Sequence, residues 1–362
     1  MIEYLSKVKP DKLSGVAVVR LDFNTEDDSR MRAALPTLKL LLKYAKALVV
    51  LSHKGRPLGF QKQFSLERSA QNLSGLLDKK VTFIKEFNFD SARRAVAEAP
   101  PKSVFVLENL RFVSMEKDED VSFAKNLASL GDYYVNEAFA VSHRANASVT
   151  TITKYLPSYA GLGLEKEIEN LGKVMKKPEQ PLVVVLGGAK SADKLAMMKY
   201  FKAKASSFLV GGALANTLLY LQGTDIGTSL FDPDVNKMIK NLSSYKNIVL
   251  PTDFRREGTK ILDIGPNSEK LFASKIKEAR TIIWNGPMGL IERENFKEGT
   301  FAIALAIAAN KKAFRLVGGG ETVMMLKEAD LYDEMNFVST GGGAMLEFLA
   351  GKKLPGIEAL KK

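Results

Sequence analysis

The sequence predicts an α/β chain of two doubly wound parallel-sheet domains of Rossmann type, joined by a linker helix. Three observations predict it. Short apolar runs alternate with helix-length amphipathic segments along the whole chain, the pattern of parallel sheets flanked by helices. The runs are rich in Val, Ile and Leu, as strands buried on both faces are. The residues that follow the runs also differ by half: Arg or His in the first half, Gly in the second.

In chain order, the predicted strands of the first half are 16–23, 47–52, 81–85, 103–108 and 133–139. Helical segments fall between them, for example 32–45 and 66–77. Residues 161–177, GLGLEKEIENLGKVMKK, place Leu164, Ile168, Leu171 and Met175 at helical spacing. Pro178 and Pro181 end that helix. Pattern alone fits a plain surface helix equally well; its place between two sheet systems favours a connector. The second half repeats the plan, with strands at 182–186, 207–210, 247–250, 281–284, 314–317 and 337–339.

Composition narrows the function. At 362 residues the chain is long for one core, so two domains are expected. Cysteine is absent, which excludes disulfides, thiol catalysis and thiolate metal ligands. The opening MIEYLSKVKP has no apolar core for a signal peptide. The longest apolar helical run, 301–309, is too short to cross a bilayer. These features predict a soluble, cytoplasmic protein. Net charge is +12, yet no lysine run exceeds two residues. Scattered lysines and single arginines at strand ends favour a small anionic ligand over nucleic acid or membrane.

Ligands of open parallel sheets bind beyond the carboxyl ends of the strands. In the first half these ends carry Arg20, Asp22 and Asn24; then His53, Lys54 and Arg56; then Asn109 and Arg111; then His143 and Arg144. Arginine forks suit phosphate and carboxylate. Any one of them alone reads as a surface residue; their recurrence at one predicted rim reads as an anion site. In the second half the ends read Gly187–Gly188, Gly211–Gly212, Asn285–Gly286–Pro287, Gly318–Gly319–Gly320 and Gly341–Gly342–Gly343. The last two lead into helices and can present backbone N–H groups to phosphate. Around the first of them, VVVLGGAKSADK sets Lys190 and Lys194 on one helix face. That stretch is not a Walker A loop, since GxxxxGK[ST] is absent. An anion between the two lysines explains an otherwise repulsive pair. An arginine-lined anion site and a glycine-lined nucleotide site fit a hinge-bending phosphotransferase that closes to exclude water.

The ordered motifs RLDFN (20–24), SRMRAALP (29–36), SHKGRP (52–57), LENLRF (107–112), HR (143–144), LGGAK (186–190), WNGPMG (284–289), STGGGA (339–344) and LPG (354–356) resemble the phosphoglycerate kinase family over nearly the whole chain. The resemblance implies reversible phosphoryl transfer between 1,3-bisphosphoglycerate and ADP, giving 3-phosphoglycerate and MgATP. It implies a phosphoglycerate site of Arg20, Asp22, Asn24, Arg30, His53, Arg56, Arg111 and Arg144. Lys190 and Lys194 match phosphate-binding lysines, and Gly211, Gly212, Ala213, Leu262 and Leu290 match the adenine pocket. Glu292 matches the ribose contact, while Asn285, Pro287, Gly318, Gly319, Gly320, Glu321 and Thr322 match the nucleotide region. Glu321 would hold Mg²⁺, the cofactor implied with ADP or ATP. The closing LPGIEAL implies a return to the first domain. The expected domains are therefore 1–160 with 346–362, a linker at 161–180, and 181–345. The partners implied are small molecules only, and the implied enzyme is a monomer.

The expected mechanism follows from charge. An acyl phosphate is a good donor and the ADP oxygen is already ionised, so no general base is needed. In-line positioning and neutralisation of the equatorial oxygens fall to Arg30, Lys194, the Gly319–Gly320 and Gly342–Gly343 amides and Mg²⁺. Four departures from the family pattern stand out. Only five residues separate Asn24 from Arg30, which makes Arg32 an alternative for the arginine's place. Ala213 stands for a glycine, Glu321 for an aspartate, and Asn146 for a histidine. Glu321 also reads as a helix-start carboxylate favoured by the dipole, though the metal role is the preferred reading. Two rival functions differ in class. A dinucleotide-dependent dehydrogenase would want GxGxxG after the first strand, where this chain has DFNTEDD. An inactive basic binding protein would retain the charge without the transfer.

Overall fold

The computed structural model describes residues 1–25, 27–189, 192–232 and 245–362. Apolar runs of the kind that parallel sheets need become strands here: β1 Val16–Arg20, β2 Ala47–Leu51, β3 Val81–Ile84, β4 Ser103–Leu107, β5 Tyr133–Asn136 and β6 Ser158–Ala160. They form one parallel sheet in the order β3-β4-β2-β1-β5-β6. Every residue of β1, β2 and β5 is buried, because helices separate successive parallel strands and cover them. Helices Ser29–Tyr44 and Glu67–Leu77 pack Leu38, Leu41, Ala70 and Leu73 onto Val19, Leu48, Val50 and Val106.

The second half builds β7 Leu182–Leu186, β8 Ser207–Val210, β9 Ile248–Val249, β10 Phe254–Glu257, β11 Lys260–Ile264, β12 Thr281–Asn285, β13 Phe314–Gly318 and β14 Phe337–Ser339. Six of them form a parallel sheet, β14-β13-β12-β7-β8-β9. Trp284, Phe272 and Ile303 are fully buried at its core. β10 and β11 instead make a separate antiparallel hairpin. The sequence reading omits that hairpin and β6. The hairpin's strands carry charge, as FRRE and KILDI, and β6 is three residues long, so neither shows a long apolar run. The runs at 16–23 and 133–139 stop being strand at Arg20 and Asn136. Beyond those points the chain leaves the ladder and its side chains become site residues.

In both sheets the strand order reverses beside the first strand of the half, β1 or β7. Such switch points open a crevice at the carboxyl ends. Register keeps these ends level. Arg20 pairs with Leu51 and Asn136 in the first sheet. Leu186 pairs with Val210 and Asn285, and Asn285 with Gly318, in the second.

The chain divides into two compact units, Met1–Ile168 with Lys353–Lys362, and Glu169–Lys352. One division falls inside helix Leu162–Lys176, and helix Gly343–Leu349 goes with the second unit. In the connecting helix Leu164, Leu171 and Val174 are buried, and so are Glu165 and Glu167. Ser6 donates to Glu165 Oε1 at 2.8 Å. Among the described residues no helix is long and apolar enough to cross a membrane.

Glu137, just past β5, is half-buried at the start of that helix and accepts the Gly163 N–H at 2.9 Å. Burial pushes its pKa up to about 8 against the opposing pull of the Gly163 amide. The folded state therefore keeps a proton that the unfolded chain releases above its ordinary value of 4.5. Stability from this group is full below that value and is lost as pH rises through about 8. Thermal melts of Glu137→Gln between pH 5 and pH 8 should fall less steeply with pH than those of the parent. An equal slope would take the carboxyl out of the pH dependence.

Candidate functional site

At the rim of the first sheet, the segments leaving β1, β2, β4 and β5 bring cations together around a buried histidine. Arg20 is only 2% exposed. Its Nε donates to Ser148 Oγ at 2.8 Å, its Nη1 to the Leu21 carbonyl, and its Nη2 to His53 Nδ1 at 3.1 Å. A guanidinium can only donate, so His53 Nδ1 accepts and the ring proton sits on Nε2. Burial holds the His53 pKa well below the ordinary imidazole value, and the charges of Arg20, Arg111, Arg144 and Arg30 add to that shift. The ring is therefore neutral at physiological pH. Arg111, buried beside Arg144 and Arg20, is pushed down to about 10 and remains charged. Burial lowers Arg144 as well, and the neighbouring Arg56 adds to it.

Few anions offset this cluster. Asp22 Oδ2 accepts from Arg30 Nη1 at 2.6 Å, and Asp22 Oδ1 accepts the Asn24 N–H at 2.8 Å. Arg32 is turned outward and pairs with Asp28 at 2.8 Å, so Arg30 is the arginine at the rim. Asn24 Oδ1 accepts the Gly55 N–H at 2.7 Å, and exposed Arg56 follows in the same loop. Asn109 Nδ2 reaches the carbonyls of Lys54 and Phe64 and holds that loop in place. Two contributors escaped sequence reasoning: Glu116 and Ser148. Buried Glu116 accepts the Ser148 hydroxyl at 2.6 Å and lies 4.0 Å from Arg20. Burial raises its pKa against the pull of Arg20. Neither Glu116 nor Ser148 follows a predicted strand, so no local signal marks them.

The second unit carries an open cleft at its rim. It is lined by Gly188, Gly212, Ala213, Asn216, Leu230, Leu262, Asp263, Pro287, Met288, Leu290, Glu292 and Glu321 among others. Seven of the expected nucleotide residues thus meet here: Gly212, Ala213, Leu262, Pro287, Leu290, Glu292 and Glu321. Lys194, on helix Ala192–Phe201, is 4% exposed. A Cβ on Gly188 would lie 3.5 Å from Lys194 Nζ and 3.6 Å from Glu321 Oε2, so both head groups border the cleft at one glycine. Lys190 lies outside the described residues. Asn216, Met288 and Asp263 also line the cleft, and the sequence reading assigns them no place in the site.

The double glycines bring neighbouring strand-end loops into contact. Gly187 and Gly188 donate their N–H groups to the carbonyls of Asn285 and Pro287, at 3.0 and 2.7 Å. Gly212 and Ala213 donate to Met288 and Gly188. These amides lace the strand-end loops to one another and are not presented to an anion. The loops can approach so closely only without side chains: a Cβ on Gly187 would fall 1.9 Å from the Pro287 carbonyl oxygen. Thr322 is buried, and its hydroxyl accepts the Gly286 N–H at 2.8 Å, so it anchors a loop and does not face the cleft. Asn285 Nδ2 likewise donates to the Gly318 carbonyl at 2.9 Å. Gly319 and Gly342 each precede a helix with positive φ, 103° and 53°, conformations that glycine adopts without strain. The helix that follows Gly319 has its first N–H groups unpaired by the helix itself.

The sequence and the fold of the chain are matched by known proteins. Residues 15–352 match the phosphoglycerate kinase family. The chain is 39% identical to a phosphoglycerate kinase of Dictyoglomus turgidum, over 98% of both chains. It is 40% identical to one from Chloroflexus aurantiacus, over 95% of this chain and 96% of that one. The solved structure of phosphoglycerate kinase from Coxiella burnetii is similar with a TM-score of 0.85 at 33% identity, covering 99% of each chain. That of Pyrococcus horikoshii also gives 0.85, at 30% identity, covering 99% of this chain and 98% of that one.

The lacing of the loops makes a stability test specific. Gly286 has φ 91°, and a Cβ there would lie 2.2 Å from the Gly187 carbonyl oxygen. Gly320 has open space at the same point. Gly286→Ala should cost at least about 2 kcal/mol in denaturant unfolding, from strain and clash together. Gly320→Ala should be close to neutral. Equal effects would mean that the loops do not depend on the close approach.

Proposed function

The chain belongs to the phosphoglycerate kinase family, and from that premise we propose how its residues divide the transfer of a phosphoryl group from 1,3-bisphosphoglycerate to ADP. The reaction is reversible and yields 3-phosphoglycerate and ATP. The observation that carries the assignment of sides is the charge contrast between the two rims. Arg20, Arg30, Arg56, Arg111 and Arg144, with neutral His53, form the site for the carboxylate and phosphate of phosphoglycerate. Guanidinium forks bind both groups in bidentate fashion. Neutral His53, with its proton on Nε2, offers a donor without adding a charge. The cleft of the second unit takes the nucleotide. Its adenine sits among Ala213, Leu262 and Leu290, and its ribose lies by Glu292.

No general base is needed, since the acyl phosphate is activated and the attacking ADP oxygen is ionised. The work left to the protein is alignment and neutralisation. Lys194 is poised for that work. It is buried, so its charge acts through little water, and Glu321 nearby offsets it only until phosphate arrives. Arg30 and the amides at Gly319, Gly320, Gly342 and Gly343 supply further donors. Transfer between two ligands held on separate units requires the units to close.

Among the described residues, no three acidic or histidine side chains cluster as a metal cage. Mg²⁺ commonly binds through one or two carboxylates and substrate phosphates, keeping several waters. Exposed Glu321 at the cleft fits that pattern. When bound, the ion would neutralise charge on the phosphate oxygens of the nucleotide. The proposal includes a cytoplasmic monomer acting on small molecules, with no nucleic-acid or membrane partner.

Two sets of variants test this division. Lys194→Ala should lower kcat by a factor on the order of 10² while phosphoglycerate affinity holds, because the charge matters most in the transition state. Arg144→Ala should weaken phosphoglycerate binding and leave ADP binding intact. The reverse pattern, with Arg144→Ala losing nucleotide, would overturn the assignment of sides.

Glu321→Gln tests the metal. The Mg²⁺ concentration for half-maximal activity should rise, while calorimetric binding of metal-free ADP stays nearly unchanged. An unaltered metal requirement with a lowered Tm would leave Glu321 as a helix-start carboxylate alone.

A further inference from the structure

Beneath the nucleotide cleft lies a carboxylate with no place in the transfer described above. Asp263 sits on β11, and its side chain is fully buried. Its Oδ2 accepts the Gly299 N–H at 2.7 Å, and its Oδ1 accepts the Ile264 N–H at 2.9 Å. Gly299 lies in the first turn of helix Glu298–Ala309, whose own N-cap residue Lys297 makes no side-chain cap. Asp263 supplies that cap from another element, and its negative charge suits the helix start.

The same carboxylate fills space that two glycines leave open. A Cβ on Gly289 would lie 2.3 Å from Asp263 Oδ1, and a Cβ on Gly299 would lie 2.4 Å from it. Gly289 stands between Met288 and Leu290 on the cleft wall. That wall is tied to Leu262, the neighbour of Asp263, through the Leu290 N–H to the Leu262 carbonyl at 2.8 Å. It is tied to the helix start through the Met288 N–H to Thr300 Oγ1 at 3.0 Å. Three segments that shape the cleft therefore meet on one carboxylate: β11, loop 287–291 and the start of helix Glu298–Ala309.

We infer that Asp263 is a positioning residue for the nucleotide, fixing the spacing between Leu262 and Leu290 across which the base is held. The inference rests on the reading of this cleft as the nucleotide site. The surroundings show why the group is strongly committed. Burial pushes the Asp263 pKa up to about 7, even though the Gly299 and Ile264 amides favour its charged form. Arg255 stands 3.8 Å away, and two other acids, Glu269 and Glu298, hold that arginine at 2.5 and 2.6 Å. The carboxylate is thus held by the Gly299 and Ile264 amides more closely than by a cation. Removing its charge frees those amides and loosens the wall.

The test is steady-state kinetics at pH 8, where the carboxylate is ionised, on the full chain with Mg²⁺. Asp263→Asn should raise KM for ADP about tenfold, leave kcat within about twofold, and leave KM for phosphoglycerate unchanged. Ile303→Val, a core change in the same unit, should lower Tm without moving KM for ADP. If Asp263→Asn does not accumulate as folded protein, Asp263→Ser, which keeps a short acceptor, takes its place. A variant at 263 that loses Tm but keeps KM for ADP within about twofold would reduce Asp263 to a helix cap and overturn the inference. A matching rise in both KM values would overturn it too. Ala213→Leu, which narrows the cleft, separates the two readings. If it leaves KM for ADP unchanged, the cleft is not the nucleotide site and both readings fall. If it raises KM while the 263 variant does not, the inference alone falls.

Discussion

Like charges forced together shape the first unit. Arg20, Arg111 and Arg144 crowd around His53, and Arg30 stands at the edge. Burial first, and the charges of neighbouring arginines after it, push His53, Arg111 and Arg144 away from the charged state. Such a cluster survives because Asp22 and Glu116 offset part of the charge and because neutral His53 adds none. In the function proposed above, a bound anion relieves the rest. The framework that bears this crowding is the sheet. Arg20, Leu51 and Asn136 end level in register, so segments that leave three neighbouring strands deliver their side chains to one place.

The second unit solves a different packing problem. In the function proposed above it takes a nucleotide, which needs a wide, shallow apolar slot with donors at one end. Side chains on the strand-end loops would fill that slot. Glycine at 187, 188, 212 and 286 lets the loops pass within backbone hydrogen-bonding distance of one another. The loops then spend their amides on each other, and the apolar lining comes from Ala213, Leu262, Met288 and Leu290. In the function proposed above, donors for phosphate are left to Lys194 and to helix starts.

Both rims lie at the switch points of their sheets, where the chain turns from one side to the other. A parallel sheet buried on both faces leaves its carboxyl ends as the place where polar chemistry can reach solvent without breaking the core. This is why the residues just past the central strands are mostly polar or small, while those strands are buried through nearly every position.

The sequence by itself determined the architecture, since the apolar runs that make buried parallel strands are local and their period is unmistakable. It also determined the family, because RLDFN, SHKGRP and WNGPMG are contiguous motifs at strand ends. Its limits were physical. The β10–β11 hairpin carries charge on an exposed face, so its pattern lacks the apolar run that marks a strand. Only the tertiary structure could choose Arg30 over Arg32, because the choice depends on which arginine reaches Asp22 across the turn of the helix. Only it could show that the Gly187, Gly188 and Gly212 amides are occupied, since their partners lie about 70 to 100 residues away or across a neighbouring loop. Glu116, Ser148 and Asp263 were illegible for the same reason. Each acts through a contact distant in sequence, and a buried carboxylate among amides and an exposed one in water are written with the same letter.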